Sequence, residues 1–324
     1  MNSLFTTARV HTRTCPVCSG SQKVDLYRPG ASPGLVSRCA HCGMVFVSQI
    51  DDDQSLIFEG AKLDGHDVHL LTSANLDDIC NFWEYRYILE REAEADALHD
   101  NAQQFLDIVE PFLPQIAQGA DRGNGPHSVL DFGSGWGFFL SAAQTRGWDA
   151  YGLEPLPASS IYARAKFGLK IKTDTLRVDS FAPESFDLIT AFQVFEHLPY
   201  PDSDVQKLRT FLKQHGLILI EVPNHNTWTM KLLGHRHRHY VADHLNFFSP
   251  ATLLDFVTRN GFEAMKVWTT TRQMSVRHLI SRWTGRLLPS SAHLSEGLAR
   301  RLGIWDKTIG VNIGDIVAVL ARKV

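Results

Sequence analysis

Three alternate glycines at the end of an apolar segment constrain the fold more than any other feature of the sequence. Residues 128–140 read SVLDFGSGWGFFL, so Gly133, Gly135 and Gly137 stand between two apolar stretches. Glycine tolerates a positive φ and lets a ligand approach the main chain. The pattern therefore predicts a buried strand that turns directly into a helix, with a ligand bound at the turn.

Strand-like and helix-like segments alternate around this turn. Seven strands are predicted: Ser128–Phe132, Ala150–Glu154, Lys170–Thr173, Phe186–Phe192, Leu217–Val222, Phe262–Thr269 and Asp315–Ala321. Four helices are predicted between them: Phe138–Arg146, Ala158–Phe167, Ser203–Gln214 and Pro250–Asn260. Such alternation is typical of an α/β fold, here a Rossmann-like, doubly wound parallel sheet of seven strands with helices on both faces. This domain is predicted to cover residues 125–324, with residues 272–310 as an insertion.

Two acidic residues near the glycine turn distinguish between ligands. A dinucleotide-binding turn has the spacing G-x-G-x-x-G and holds a pyrophosphate at the helix N-terminus. Here the third glycine comes one residue earlier, and Asp131 stands where a carboxylate would repel a pyrophosphate but attract an ammonium group. Glu154 ends the second predicted strand, where an acidic residue binds a ribose diol. S-adenosylmethionine has the ribose, the cationic amino-acid end and the lack of phosphate that fit this pair.

Four of the five cysteines form the pattern of a zinc ribbon. Cys15 and Cys18 make one C-x-x-C turn, and Cys39 and Cys42 make another after twenty intervening residues. Two such turns complete a tetrahedral four-sulfur site, which is the geometry of Zn²⁺ in closed structural sites. The sequence therefore predicts a ribbon over residues 15–48 that holds a structural, not a catalytic, zinc ion.

The remainder of the N-terminal part is divided by composition and periodicity. Residues 1–14 are predicted to be a flexible tail, and Met44–Val47 to be a strand that leaves the ribbon. Residues 49–124 are predicted to be a linker and a helical cap, because apolar residues recur at helical spacing on both sides of Pro111, which breaks the pattern. The fifth cysteine, Cys80, lies in an apolar stretch and is expected to be buried packing.

Charge and hydropathy exclude several classes of protein. Lys and Arg number 32 against 35 Asp and Glu, and a formal charge of −3 predicts no basic surface for nucleic acid or an acidic membrane. The longest apolar runs have the length of strands, so no membrane span is expected. The first residues lack a signal-peptide pattern, so the predicted location is the cytoplasm, where cysteines stay reduced. The sequence predicts no particular oligomeric state.

The glycine turn with its two acids resembles the class I S-adenosylmethionine-dependent methyltransferases. The resemblance implies methyl transfer as the activity and S-adenosylmethionine as the cofactor. The residues that it assigns to cofactor binding are Asp131, Gly133, Ser134, Gly135, Gly137, Glu154, Asp174 and Gln193. For Asp174, a solvated turn residue remains the alternative.

Two further segments are similar to particular branches of that family. Residues 186–189, FDLI, with Glu196 and His197 look like the branch that contains ubiquinone-biosynthesis O-methyltransferases. The cysteine pairs and residues 243–249, DHLNFFS, are similar to sugar C-methyltransferases, although Asp and Phe replace the Glu and Tyr of that family. These likenesses carry the reaction and the cofactor, but not the substrate.

An alcohol, phenol or carbon acid must lose a proton when it is methylated, and the base is usually a histidine. Five of the 15 histidines fall within residues 225–244, after the fifth predicted strand. We expect His244 to be the base, oriented by a carboxylate such as Asp243, with a structural role as the alternative. Glu196 and His197 are the second candidates for catalysis, and they could instead shape the pocket.

Residues 235–240, HRHRHY, are rich in cations, which predicts a loop and not a core segment. Arg236, Arg238 and Tyr240 are expected to bind an anionic part of the substrate, with a solvated surface loop as the alternative.

The sequence thus predicts a cytoplasmic methyltransferase acting by C- or O-methylation on a small molecule, with sugar nucleotides and other secondary or cell-surface metabolites as candidates. One alternative is an RNA methyltransferase that grips RNA with the ribbon, although the charge balance makes nucleic acid an unexpected partner. A second alternative is a non-catalytic scaffold that retains the fold.

Overall fold

The computed structural model describes residues 10–27, 34–51, 88, 91–113, 126–233, 237, 239, 241, 243–280, 292–305 and 307–324. Cys80 and the substrate-loop residues Arg236, Arg238 and Tyr240 lie outside these ranges. None of the helices in the described ranges has the length and apolar character needed to cross a bilayer.

A seven-stranded sheet forms the centre of the larger domain and confirms the predicted fold class. Its strands are β6 (Ser128–Phe132), β7 (Asp149–Leu153), β8 (Lys170–Lys172), β9 (Phe186–Phe192), β10 (Leu212–Pro223), β12 (Phe262–Thr269) and β15 (Ile316–Lys323). They lie side by side in the order β12-β15-β10-β9-β6-β7-β8. The chain reverses its direction of winding beside β6, which is the position where folds of this kind bind ligands.

The prediction of a wholly parallel sheet is wrong for β15. This strand runs antiparallel to both of its neighbours: its Arg322 lies opposite Leu217 of β10, and its Lys323 lies opposite Phe262 of β12. The reason is the connection: β12 ends at the carboxyl edge of the sheet, and the chain re-enters from that same edge as β15. Without a crossover, the returning strand must be antiparallel.

Helices cover both faces of the sheet. They are α2 (Phe138–Thr145), α3 (Pro157–Phe167), α4 (Pro201–Phe211) and α6 (Pro250–Arg259), all four close to their predicted bounds. Successive residues of one strand pack on opposite faces, since Leu188 belongs to one apolar core and Ile189 to the other. α6 begins with a capping box in which Ser249 accepts a hydrogen bond from the Thr252 amide.

The segments before and after this core meet above the carboxyl edge. α1 (Ala95–Val109) passes at Pro111 into a 3₁₀ turn, as the sequence predicted, and packs on α2. A short helix, α5 (Trp228–Leu233), follows β10. The elements that begin within the predicted insertion are β13 (Arg272–Ser275), α7 (Ala292–Arg301) and β14 (Thr308–Val311). Asn101 of α1 exchanges hydrogen bonds with the backbone of Gln273 on β13.

The N-terminal part forms a small antiparallel unit, which we call the four-cysteine unit (residues 10–27 and 34–51). Its strands are β1 (Val10–Thr12), β2 (Lys23–Tyr27), β3 (Val36–Cys39), β4 (Val45–Val47) and β5 (Gln49–Asp51). The predicted flexible tail is wrong for its last residues, because β1 pairs with β5 and Arg13 is buried. β11 (Asn246–Phe247), a segment of the larger domain, adds to the edge of β4.

Candidate functional site

The glycine turn lies at the carboxyl end of β6. Gly133, Gly135 and Gly137 all have positive φ, of 73°, 50° and 79°. A Cβ atom at Gly133 would stand 2.5 Å from the Val194 side chain, so this glycine permits close packing. A Cβ atom at Gly135 would meet no heavy atom of the described residues within 4 Å. Gly135 therefore leaves its main chain open to the space in front of the turn.

Two buried carboxylates stand behind this turn. Asp131 is 3% exposed and accepts a hydrogen bond of 2.7 Å from the Thr190 hydroxyl. Burial raises the pKa of Asp131 to about 7, Thr190 opposes this, and the charge of Glu154 adds to it. The Glu154 carboxylate accepts from the amides of Gly135 at 2.7 Å and Leu156 at 2.8 Å, so it braces the turn from the end of β7.

A cavity of about 350 Å³ opens in front of the turn, within the size range of small-molecule sites. Its floor is the glycine turn with Phe192 and Gln193, and Gln193 also donates to Glu221 at 3.2 Å. Asp174 does not line this cavity, because its carboxylate pairs with Arg177 at 2.6 Å on its own turn.

Sequence reasoning did not identify the residues that cover this cavity. Further lining residues are Arg91, Leu98, Asn101, Ala102 and Phe105 from the N-terminal side, and Glu221, Thr271 and Arg272 from the sheet edge and the insertion. The helical periodicity predicted the helix α1, but no sequence signal placed Arg272 over the pocket, where it pairs with Glu221 at 3.1 Å.

The residues present fit S-adenosylmethionine. The floor carries an acidic group at Asp131, which suits a cationic ligand, whereas Glu154 does not line the cavity and acts on it by holding the Gly135 amide. Among the described residues, no atom pairs with the buried hydroxyl of Ser134, so a polar group within the turn is left for a ligand. The wall also has apolar surface from Phe105 and Phe139, against which a planar ring can pack.

The candidate catalytic residues lie together beside this cavity. One ring nitrogen or carboxylate oxygen from each of Glu196, His197 and His244 lies within 4.8 Å of the others, so the three side chains form one compact cluster. Glu196 is 1% exposed, and its Oε2 has no partner among the described residues. Burial, together with the charges of Glu221 and Asp243, raises the pKa of Glu196 to about 8.

The two histidines face each other edge to face, with their ring centroids 4.7 Å apart. Each Nδ1 lies near a backbone carbonyl, that of Asp243 at 3.0 Å from His197 and that of His239 at 2.9 Å from His244. This contact assigns the proton of each neutral ring to Nδ1 and leaves Nε2 as an acceptor. Burial lowers the pKa of both rings, and repulsion from His197 and His239 helps to lower that of His244 to about 4.

The expectation that residues 235–240 are too charged for a core is wrong for two of them. His237 and His239 are buried, at 6% and 9% exposure. Their polar atoms are satisfied, because His237 meets the Thr229 hydroxyl at 3.2 Å and His239 meets Asp315 at 3.4 Å. Neutral imidazoles with hydrogen-bond partners can be buried where permanent cations cannot.

The four cysteines converge in the four-cysteine unit. Cys15 and Cys42 have their sulfur atoms 3.5 Å apart, as do Cys18 and Cys39, and all four sulfurs lie within 4.8 Å of one another. A tetrahedral zinc site with Zn–S bonds of about 2.3 Å needs sulfurs roughly 3.8 Å apart. The four thiols thus fit one zinc ion, which this set would enclose completely.

Comparisons with known families and curated proteins find matches to the larger domain of the chain. A family profile described as a methyltransferase domain matches residues 97–267. The ubiquinone biosynthesis O-methyltransferase of Histophilus somni (strain 2336) is 28% identical over 167 residues, which are 45% of this chain and 68% of that protein. The protein of the same name from Serratia proteamaculans (strain 568) is 29% identical over 145 residues, which are 40% of this chain and 59% of that protein.

A solved structure of a SAM-dependent methyltransferase from Archaeoglobus fulgidus is 17% identical, covers 74% of this chain and 100% of its own, and has a TM-score of 0.47. The alignments with the two curated relatives span 59% to 68% of those proteins' lengths. Neither alignment reaches the whole of the relative.

Proposed function

The chain belongs to the methyltransferase-domain family, and from this premise we propose that it transfers a methyl group from S-adenosylmethionine to an oxygen or carbon atom of a small molecule. The observation that carries the proposal is the proximity of two groups of side chains. Glu221 lines the cofactor cavity, and its charge helps to raise the pKa of Glu196, which lies in one cluster with His197 and His244. The cluster that holds the candidate base therefore lies near one wall of the cavity.

The cofactor cavity provides charge and shape. S-adenosylmethionine, when bound, supplies a methyl group that is open to nucleophilic attack. Asp131 would attract its ammonium group, Gln193 would contact its polar parts, and Gly135, which Glu154 holds in place, would admit them to the main chain. The cap helix α1 adds apolar surface to one side of this space, and such surface strengthens nearby charge interactions.

The acceptor side provides a base. His244 is neutral near pH 7 and has a free electron pair on Nε2, so it can remove a proton from a hydroxyl or an acidic C–H group. The acceptor atom would then bond the methyl carbon with its electron pair as the carbon–sulfur bond breaks, and the electron pair of that bond would leave with S-adenosylhomocysteine. The His197 ring packs edge to face against the His244 ring. Glu196 can donate a hydrogen bond because its raised pKa keeps it partly protonated.

We further propose that the acceptor is a sugar nucleotide or another secondary or cell-surface metabolite, and that the reaction takes place in the cytoplasm. The similarity of residues 243–249 to the sugar C-methyltransferase segment is the reason for testing this acceptor class first, and it does not itself identify the acceptor. The experiment is to incubate the chain with methyl-labelled cofactor and separate fractions of host small molecules and RNA. Label in a small molecule is expected, and label in RNA alone would contradict the proposal.

A matched variant makes this experiment specific. Gly135→Val should abolish labelling in every fraction, because its side chain would fill the cavity. Binding of S-adenosylhomocysteine, measured by calorimetry, separates an enzyme from a scaffold. Wild-type protein that does not bind this product would contradict methyl transfer altogether.

A further inference from the structure

Asn246 lies at the junction of three parts of the molecule. It belongs to β11, which pairs with β4 of the four-cysteine unit, and it is 1% exposed. Two residues before it stands His244, and across from it runs the turn that carries His197. A buried amide is costly unless its donors and acceptor are all satisfied, so its partners show what it holds together.

The donors of Asn246 hold the turn at residues 195–198. Its Nδ2 donates to the carbonyls of Phe195 at 2.9 Å and Leu198 at 2.7 Å. The backbone amides of Leu245 and Asn246 both donate to the Glu196 carbonyl, at 2.6 and 3.0 Å. Three carbonyls of one turn are thus bound by two consecutive residues, and His197 lies within the stretch that they fix.

The acceptor of Asn246 faces the four-cysteine unit. Its Oδ1 accepts from Arg13 at 2.8 Å, and the same guanidinium donates to Val47 at 2.9 Å and Leu245 at 3.4 Å. Arg13 is 6% exposed and lies two residues before Cys15. The planar fork of arginine suits three acceptors at once, which a lysine could not reproduce.

From these contacts we propose that Asn246 is a positioning residue. Its carboxamide holds the rings of His197 and His244 against each other, and through Arg13 it makes this arrangement depend on how the four-cysteine unit packs against the larger domain. The proposal rests on the proposed function, because the two histidines matter only if they serve a reaction. It assigns a role to the four-cysteine unit that its metal site alone does not give. β4 of this unit pairs with β11, and His244 lies two residues before β11.

Two substitutions separate the two halves of the contact. Asn246→Asp has nearly the same shape and can keep Arg13, but it removes both donations to the turn and places a carboxylate against two carbonyls. Arg13→Gln keeps those donations and loses the side-chain link to the four-cysteine unit, while the backbone pairing of β11 with β4 remains. Asn260→Ala is the control, because Asn260 also uses both ends of its amide, with Phe256 and Gln206, at the far end of α6.

The readout is the tautomer and pKa of each histidine in protein labelled with ¹⁵N-histidine, assigned by single substitutions. Asn246→Ser, which adds no charge, is expected to raise the pKa of His244 by at least about one unit toward its ordinary value, because the rings no longer face each other in a closed site. Asn246→Asp should raise it further, because its new carboxylate also favours the protonated ring. Arg13→Gln is expected to give a smaller rise in the same direction. Asn260→Ala should lower thermal stability and leave both histidines unchanged.

Unchanged histidines in folded Asn246→Ser protein would overturn the proposal. If this variant does not fold, Asn246→Asp takes its place, with the tautomer of each ring as the readout. Failure of both variants to fold would assign Asn246 to stability alone and would also overturn it. Binding of S-adenosylhomocysteine should stay within about twofold of wild type in every folded variant. Loss of that binding in the wild type would instead contradict the proposed function.

Discussion

The cofactor half and the acceptor half of the site differ in how the chain assembles them. The cofactor half is built from the ends of neighbouring strands, with Asp131, Glu154 and Gln193 each at or just beyond a strand end. The acceptor half joins the Glu196–His197 turn to the His244 segment, and both lie against the four-cysteine unit. The floor of the first half belongs to one sheet, whereas the second half depends on how the four-cysteine unit packs against the larger domain. Damage to one half should therefore spare the other.

The largest expected effect is on turnover in the acceptor half. His244→Ala removes the base, and loss of general-base catalysis lowers kcat by about 10²- to 10⁴-fold. Cofactor affinity should stay as in the wild type, because His244 does not line the cofactor cavity. Single-turnover transfer from labelled cofactor to the acceptor measures the first, and calorimetry the second. His127→Ala, before β6 at the opposite edge of the sheet, is the matched control and should transfer at the wild-type rate.

Gly135→Val should damage the cofactor half alone. A φ of 50° strains any side chain by about 1–2 kcal/mol, and the added atoms point into the cavity. Affinity for S-adenosylhomocysteine should fall at least about 100-fold, while the histidine pKa values stay unchanged. Gly147→Val is a control for strain, because Gly147 has a φ of 81° and lies away from the cavity. Equal losses in both variants would refute the assigned turn.

Metal removal should damage the acceptor half and spare the cofactor half. Elemental analysis is expected to find one zinc ion per chain. A chelator should then lower transfer by about tenfold or more, because a four-sulfur unit loses its order without its metal. The affinity for S-adenosylhomocysteine should change by less than about twofold. Cys42→Ser should reproduce the chelator, and Cys80→Ser, outside the two C-x-x-C turns, should keep the metal. A parallel loss of cofactor affinity would contradict the separation of the halves.

The same contrast explains what the sequence could predict. Strand ends, the glycine turn and the cysteine pairs are local patterns, so the elements that contain them were predictable from spacing alone. Arg13 and Asn246 are 233 residues apart, and no periodicity connects them. The direction of β15 depends on where the chain re-enters the sheet, and strand residues look the same in either direction. Asp174 lies in the turn after β8, as predicted, but its pairing with Arg177 depends on a side-chain rotamer.

The smallest expected effect is the pH dependence of cofactor binding. Because burial holds the pKa of Asp131 near 7, the carboxylate is half protonated at neutral pH without ligand. An ammonium-bearing ligand binds the ionised form, so affinity should fall toward tenfold per unit as the pH drops below 7, and level off above it.

Thr190 sharpens this prediction, because its hydroxyl stabilises the ionised form of Asp131. Thr190→Val should raise the pKa of Asp131 further and move the midpoint of the affinity curve upward by up to about one unit, whereas Thr190→Ser should keep it. Calorimetric titration with S-adenosylhomocysteine between about pH 5.5 and 8.5 gives the midpoint for each variant. Coincident curves for the valine and serine variants would show that the Asp131 carboxylate does not meet the ligand. The cofactor half would then owe its affinity to Glu154 and the open main chain at Gly135.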